Sequence, residues 1–449
     1  MTNGSPQNGM RIFFLVLLGH LASLIASGVT GFALGVWVYQ LTGSATQFAL
    51  ISFFTTLPGI LSSPFAGVLV DRSDRKWVII LGDVGAALCT LSLAVLFLTE
   101  WIAIWHIYII VSITSVFISL QWPAYMASIT LLVPKSQYGR AGGLVQSVQA
   151  TAQIMSPLLA GALIVPLKLY GVMLLNTALF LFSISLMLLV KFPRMHASRE
   201  ALAERSLVKE ALYGWSYIKA RRGLAALLLF FTISNFLVGI VTVMITPLML
   251  SFSSASTLGI VLTVSGSGFL AGGLLMSIWG GPQRKIHAVL GFTLLEGVSL
   301  MVAGFRASAV LISIAAFVFL FSVAMVTGAN HAIWQSKVAP EVQGRIFAAR
   351  RMISWSSLPL AYAISGPLVD RIFEPLLAVG GPLAGNVGLI IGVGAGRGTA
   401  LLLLVAGVIT FLIAALSFLY PPLRLLEDEL PDATDSAGAA LLEETVEET

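Results

Sequence analysis

The sequence predicts an all-α membrane protein of twelve transmembrane helices in two bundles of six. Three observations carry that reading: apolar runs of membrane-spanning length recur along the chain, one long polar break divides them six from six, and two stretches repeat across the break. The chain is 57% hydrophobic and only 10% charged, with a mean hydropathy of +0.95. A soluble domain is about half apolar and about a quarter charged.

A bilayer core takes roughly 20 apolar residues per helix, and the runs can be taken in order. Residues 1–11, including MTNGSPQNGM, form a polar cytoplasmic N-terminus. The run that follows, 12–40, is too long for a secretory signal and lacks a small-x-small cut site. Runs at 47–70 and 77–99 flank a knot of charges, and 102–132 comes next. Runs 143–167 and 169–190 meet at Lys168 and complete the N-terminal bundle, 12–190. Several runs exceed the hydrocarbon thickness, which implies tilt or cytoplasmic extension.

Residues 191–224 are the polar break, read as a cytoplasmic linker. Within it Val208, Leu212, Trp215 and Ile218 recur at helical spacing, with Lys209, Lys219, Arg221 and Arg222 on or beside the other face. That pattern predicts an interfacial helix lying apolar side down on the membrane. Runs 225–251, 255–280, 286–304, 308–337, 346–372 and 395–420 then make the C-terminal bundle, 225–420. The tail, 421–449, is acidic and has little to bury, so it is expected to be disordered.

Charge fixes an orientation. Nine of the 20 acids and one of the 25 bases fall in the tail, leaving 24 bases against 11 acids before it. With both termini inside, only Lys168, Arg306, Arg371 and Arg397 of the 25 bases fall outside, as the positive-inside rule asks. The basic surplus is therefore topological, and no nucleic-acid partner is needed to explain it. The implied location is a plasma or inner membrane.

The repeat supports two related halves. VPKSQYGRAGG (133–143) aligns with VAPEVQGRIFA (338–348) at an offset of 205, and SPLLAGAL (156–163) with AYAISGPL (361–368) at the same offset. Gly161 and Leu163 then meet Gly366 and Leu368. Both copies sit after the fourth span of their half, as expected for two six-helix bundles related by an axis along the membrane normal.

The knot is GVLVDRSDRK, residues 67–76, between spans 2 and 3. Gly67 permits close approach of another helix. Asp71 is a carboxylate suited to a helix N-terminus, and span 11 begins on the same side. Arg72, Arg75 and Lys76 can bridge to acids or to helix C-termini. The stretch resembles the signature of the major facilitator superfamily, Gly-x-Leu-x-Asp-Arg-x-Gly-Arg-Lys/Arg. Gly67, Leu69, Asp71, Arg72, Arg75 and Lys76 match it, and Asp74 stands where glycine is usual. With VYQLTGSATQFAL (38–50) and EALYGWSYIKARRGLAALL (210–228), it is similar to the branch of macrolide-efflux proteins and the enterobactin exporter. The resemblance covers residues 11–420. It implies the major facilitator fold, alternating access, and a knot that latches the two bundles on the inner side; the plainer reading is a topological anchor.

Ionisable groups at membrane depth are functional candidates by default. Glu296 in GFTLLEGVSL, Asp83 near the start of span 3 and His20 in span 1 are the ion-coupling candidates. Each has a structural alternative. Glu296 can tie its helix to a neighbour by a hydrogen bond, Asp83 can pair with Arg72, Arg75 or the Arg350–Arg351 pair, and His20 can bond a facing helix. For both acids the structural reading leads. The resemblance implies a cavity lined by spans 1, 4, 7 and 10, with Ser115, Ser119 and Gln121 on span 4, Asn235 on span 7 and Asn330 on span 10 as cavity candidates. Ser112, Ser115 and Ser119 share a helix face, and such residues also serve as packing glue.

Cys89 is the single cysteine, so no disulfide or thiolate metal cluster is expected. The sequence lacks H-E-x-x-H, G-x-S-x-G and a Walker loop. No enzyme, cofactor or in-chain ATP use is expected. The reading is a monomeric secondary transporter exporting small amphipathic molecules, with protons as the coupling ion. A lysolipid flippase or importer on the same fold is the alternative within transport; a membrane sensor or scaffold is the alternative outside it.

Overall fold

A computed structural model describes residues 6–133, 138–190, 215–338 and 342–430, and no strand occurs among them. A spanning segment must satisfy its own backbone in lipid, which a helix does. The first helices are α1 (Pro6–Thr42), α2 (Ala45–Arg72), α3 (Arg75–Leu98) and α4 (Ile104–Leu132). The run Tyr138–Leu189 is broken at Lys168, where φ is 53°, into α5 (138–167) and α6 (169–189). A lysine rarely adopts that left-handed backbone, so the break is a real turn between two spans. Then come α7 (Arg222–Leu250), α8 (Ala255–Trp279), α9 (Lys285–Phe305), α10 (Ala309–Lys337), α11 (Gln343–Leu368) and α12 (Arg397–Leu419).

Ten helices among the described residues are long and apolar enough to cross a membrane. One of them covers both α5 and α6. The remaining long helix, α11, is less apolar than the others: three arginines, Arg345, Arg350 and Arg351, lie in its first turns, and serines and prolines follow. Twelve spans result, as the sequence predicts.

The chain forms two compact units. The first comprises Met1–Leu202, Val243–Thr263 and Tyr362–Ile372, and so takes in two segments of the second sequence half. In it α1 packs on the α5–α6 run, α2 on α4, and α3 on α4 and the α5–α6 run. The second unit comprises Ala203–Thr242, Val264–Ala361 and Phe373–Thr449. Its α9 packs between α10 and α12. Glycine at 297 lets α9 and α12 touch backbone to backbone, since a Cβ there would strike Gly407 and Phe411.

Two expectations need correcting. Of the interfacial helix, Val208 and Leu212 lie outside the described residues. Residues 215–220 are helical, but Ile218 is buried in the second unit's core with Leu423 and Leu426, not laid on a lipid surface. The tail is ordered at its start. Two short helices, Pro421–Arg424 and Leu426–Glu429, dock on the second unit. There Glu427 accepts from the Ile286 backbone N–H at 2.8 Å, capping α9, and Arg284 pairs with Asp428 at 3.3 Å. Lys337 donates to the carbonyls of Glu427 and Leu430. Burial of Leu423 and Leu426 supplies the apolar payment that composition alone did not reveal. Residues 431–449 lie outside the described residues.

Candidate functional site

The first unit encloses a polar cluster inside its apolar core. On α1, His20 and Ser23 share a face at i and i+3; on α4, Gln121 and Tyr125 do so at i and i+4; on α6, Ser183 and Met187 repeat that spacing. All six residues and Asp83 of α3 line one cavity. The Asp83 carboxyl is 1% exposed. Its Oδ1 accepts from Ser23 Oγ at 2.7 Å and Gln121 Nε2 at 2.6 Å, and its Oδ2 accepts from Ser183 Oγ at 2.7 Å. Four helices therefore meet at one carboxyl. Glycine at 82 makes this possible, because any Cβ there would collide with the Gln121 side chain.

Asp83 thus bonds three neutral donors, which corrects the expected pairing with arginine. Its place two turns into α3 turns it toward α1, α4 and α6, away from the basic ends of the helices. Beside it His20 stacks on Tyr125, ring centroids 4.2 Å apart, with Trp122 at 6.3 Å. His20 Nε2 and Tyr125 Oη are buried and find no hydrogen-bond partner among the described residues.

The arrangement is chemically responsive. A carboxylate is acceptor-only, whereas a protonated one must also donate. Adding a proton to Asp83 would remove the charge that strengthens the three bonds it accepts and add an O–H that seeks an acceptor of its own. A rotated serine hydroxyl, or the carbonyl of Gln121, can supply that acceptor. A proton on Asp83 would therefore be felt on α1, α4 and α6 together.

Other sequence candidates lie elsewhere. Ser115 donates to the Thr55 carbonyl and Ser119 bonds Ser62 at 2.8 Å, so both sit on the α2–α4 seam. Ser112 joins them there by a 3.4 Å bond to the Phe54 carbonyl. In the second unit Asn235 donates to the Ser354 carbonyl at 3.3 Å. Asn330 is buried, and its Oδ1 has no partner among the described residues. Glu296 is 3% exposed in the middle of α9, with no hydrogen bond to its carboxyl among the described residues.

In the knot, Gly67, Asp71 and Arg72 fall on α2, and their side-chain surroundings lie outside the described residues. Asp74 is the N-cap of α3, accepting from Lys76 N at 3.0 Å. That gives the departure from glycine a role. Lys76 Nζ donates to the carbonyls of Leu188 and Val190 at 3.0 and 2.7 Å, closing the end of α6. Arg75 opens α3. Ser23, Ser183 and Tyr125 were not singled out from sequence; their signal is only that of small or aromatic residues in an apolar helix.

Comparison with known proteins adds to this geometry. The Major Facilitator Superfamily profile matches residues 16–362. Macrolide efflux protein A of Streptococcus pyogenes is 26% identical over 364 residues, covering 80% of this chain and 90% of that protein. Enterobactin exporter EntS of Salmonella choleraesuis (strain SC-B67) is 28% identical over 152 residues, 34% of this chain and 37% of the exporter. Among solved structures, a mutant of the nucleoside transporter NupG superposes with a TM-score of 0.73 at 11% identity, over 90% of this chain and 99% of that one. At that identity the likeness concerns the fold.

Proposed function

Because the chain belongs to the Major Facilitator Superfamily, and so is a membrane transporter and not an enzyme, we propose that it exports small amphipathic molecules by alternating access in exchange for protons. Support for export comes from the near full-length likeness to a macrolide efflux protein. A macrolide-like drug or siderophore-like product is the cargo class. The plasma membrane, with both termini inside, is the setting that the basic loops favour.

The observation that carries the coupling is the Asp83 network. A buried carboxyl bonded by neutral donors on three other helices is a group whose proton changes helix packing. Asp83 is the coupling acid in this reading, and His20 and Tyr125 are its neighbours along the proton's path. The driving force suffices: one charge moving through 100 mV supplies about 2.3 kcal/mol, against about 1.4 kcal/mol for a tenfold gradient. The charge knot acts as the inner-side latch in this reading, as its match to the family signature implies.

The test uses inverted membrane vesicles and a radiolabelled macrolide. Wild-type uptake should collapse with a protonophore and persist without ATP while an imposed proton gradient is held. Asp83→Asn should lose uphill uptake by about tenfold or more, a change of only about 1.4 kcal/mol, and keep downhill exchange. Uphill uptake in Asp83→Asn equal to wild type would remove Asp83 from the coupling.

A further inference from the structure

At the end of α2 remote from the charge knot, one carboxylate holds the helix start. Asp370 lies two residues beyond α11, in the π-helical turn Val369–Phe373. Its Oδ2 accepts from Ser44 Oγ at 2.6 Å and from Thr46 N at 2.9 Å, and its Oδ1 accepts from Ala45 N at 3.0 Å. Ser44 is itself the N-cap of α2, accepting from Gln47 N. The carboxylate therefore extends a capping system, where free N–H groups and the helix dipole both favour negative charge. Bonds to a carboxylate are about twice as strong as neutral ones. These partners are 324 to 326 residues apart in sequence and lie in one compact unit.

The internal repeat shows that the charge is an addition to a shared contact. Gly366 presses on Ala45 and Thr46 at the start of α2; its repeat partner Gly161, 205 residues earlier, presses on Ala255, Ser256 and Gly259 at the start of α8. Both starts are serine-capped, by Ser44 and by Ser254, which accepts from Thr257 N at 3.2 Å. Four residues past each glycine the halves differ. Asp370 follows Gly366, whereas Val165, 76% exposed, follows Gly161. One contact of the pair carries a charged clasp and the other does not.

We propose that Asp370 is a conformational latch: its carboxylate holds the starts of α2 and the end of α11 together in one state of the cycle, and its release from Ser44, Ala45 and Thr46 is required to open that end. The same two helices then carry a carboxylate at each end, Asp71 closing α2 of the knot and Asp370 following α11. This rests on the alternating-access reading, but on neither the cargo nor the coupling ion.

The test needs neither of those. In a Cys89→Ser background, spin labels at Leu41→Cys and Leu389→Cys (61% and 81% exposed) report distance distributions in lipid nanodiscs by electron–electron resonance. Asp370→Ala should raise the longer-distance population roughly tenfold relative to the shorter, about 1.4 kcal/mol, which lies within what hydrogen bonds to a charged group supply. Asp370→Asn should shift it in the same direction by less, and Ser44→Ala, which leaves both backbone donors, by less again. Monodisperse Asp370→Ala and Asp370→Asn with the wild-type distribution would overturn the latch. A shift in the opposite direction would overturn it too. Neither result touches Asp83, whose own test is the loss of uphill uptake.

Discussion

Asp83, two turns into α3, and Glu296, in the middle of α9, are both buried carboxyls, 1% and 3% exposed, yet they sit in opposite circumstances. Asp83 gathers three donors from three other helices. Glu296 has no hydrogen bond among the described residues and stands beside Gly297, where α9 and α12 touch by backbone. Burial alone therefore does not mark a coupling site. A carboxyl bonded to several helices can convert a proton into movement; one that bonds to no other helix has nothing to pull on. Substitutions can break or sharpen that contrast.

The largest effect is expected at Asp83, with uphill transport lost in Asp83→Asn as described above. Glu296 should behave differently. A carboxyl in an apolar helix that gains no hydrogen bond from its neighbours adds little to stability, so replacing it by an apolar residue can be neutral or stabilising. Glu296→Leu should therefore keep uphill macrolide uptake within about twofold and leave thermal stability unchanged or raised, by up to about 1 kcal/mol. A loss of coupling with the fold intact would invert the comparison. This departs from the expectation that a hydrogen bond ties Glu296 to a neighbour, on which leucine would destabilise.

Smaller effects should follow from the donors. A single side-chain hydrogen bond inside a membrane protein is worth about 0.6 kcal/mol on average, a factor of about three. Ser23→Ala and Ser183→Ala should each reduce uphill uptake by about that factor, measured as initial rate, while Ser115→Ala should not alter the ratio of uphill to downhill rates. Equal losses of that ratio in Ser23→Ala and Ser115→Ala would mean that the network has no special place.

Much of this fold was legible in the sequence. Apolar runs fix spans because lipid forces the backbone into helices, and even the break at Lys168 lay between two predicted runs. The site was legible in parts. Asp83, His20 and Gln121 were each visible as polar groups at depth, and the structure brings all three to one cavity. Their convergence was not visible, because Ser23 and Ser183 lie 60 and 100 residues from Asp83 and serine in a helix has no distinguishing periodicity. The serine stripe on α4 shows the converse. A shared face was read correctly, but that face meets α2. Asp370 escaped notice for another reason: a charge at a loop edge reads as solvated until its distant helix start is known.

The most direct measurement of the central claim is proton release by the purified protein. In weakly buffered detergent solution with a pH indicator and a macrolide as probe, wild type and Glu296→Gln should each release close to one proton per bound macrolide, and Asp83→Asn should bind it without release. Release from Asp83→Asn at the wild-type level, or its loss in Glu296→Gln alone, would contradict the assignment of coupling to Asp83.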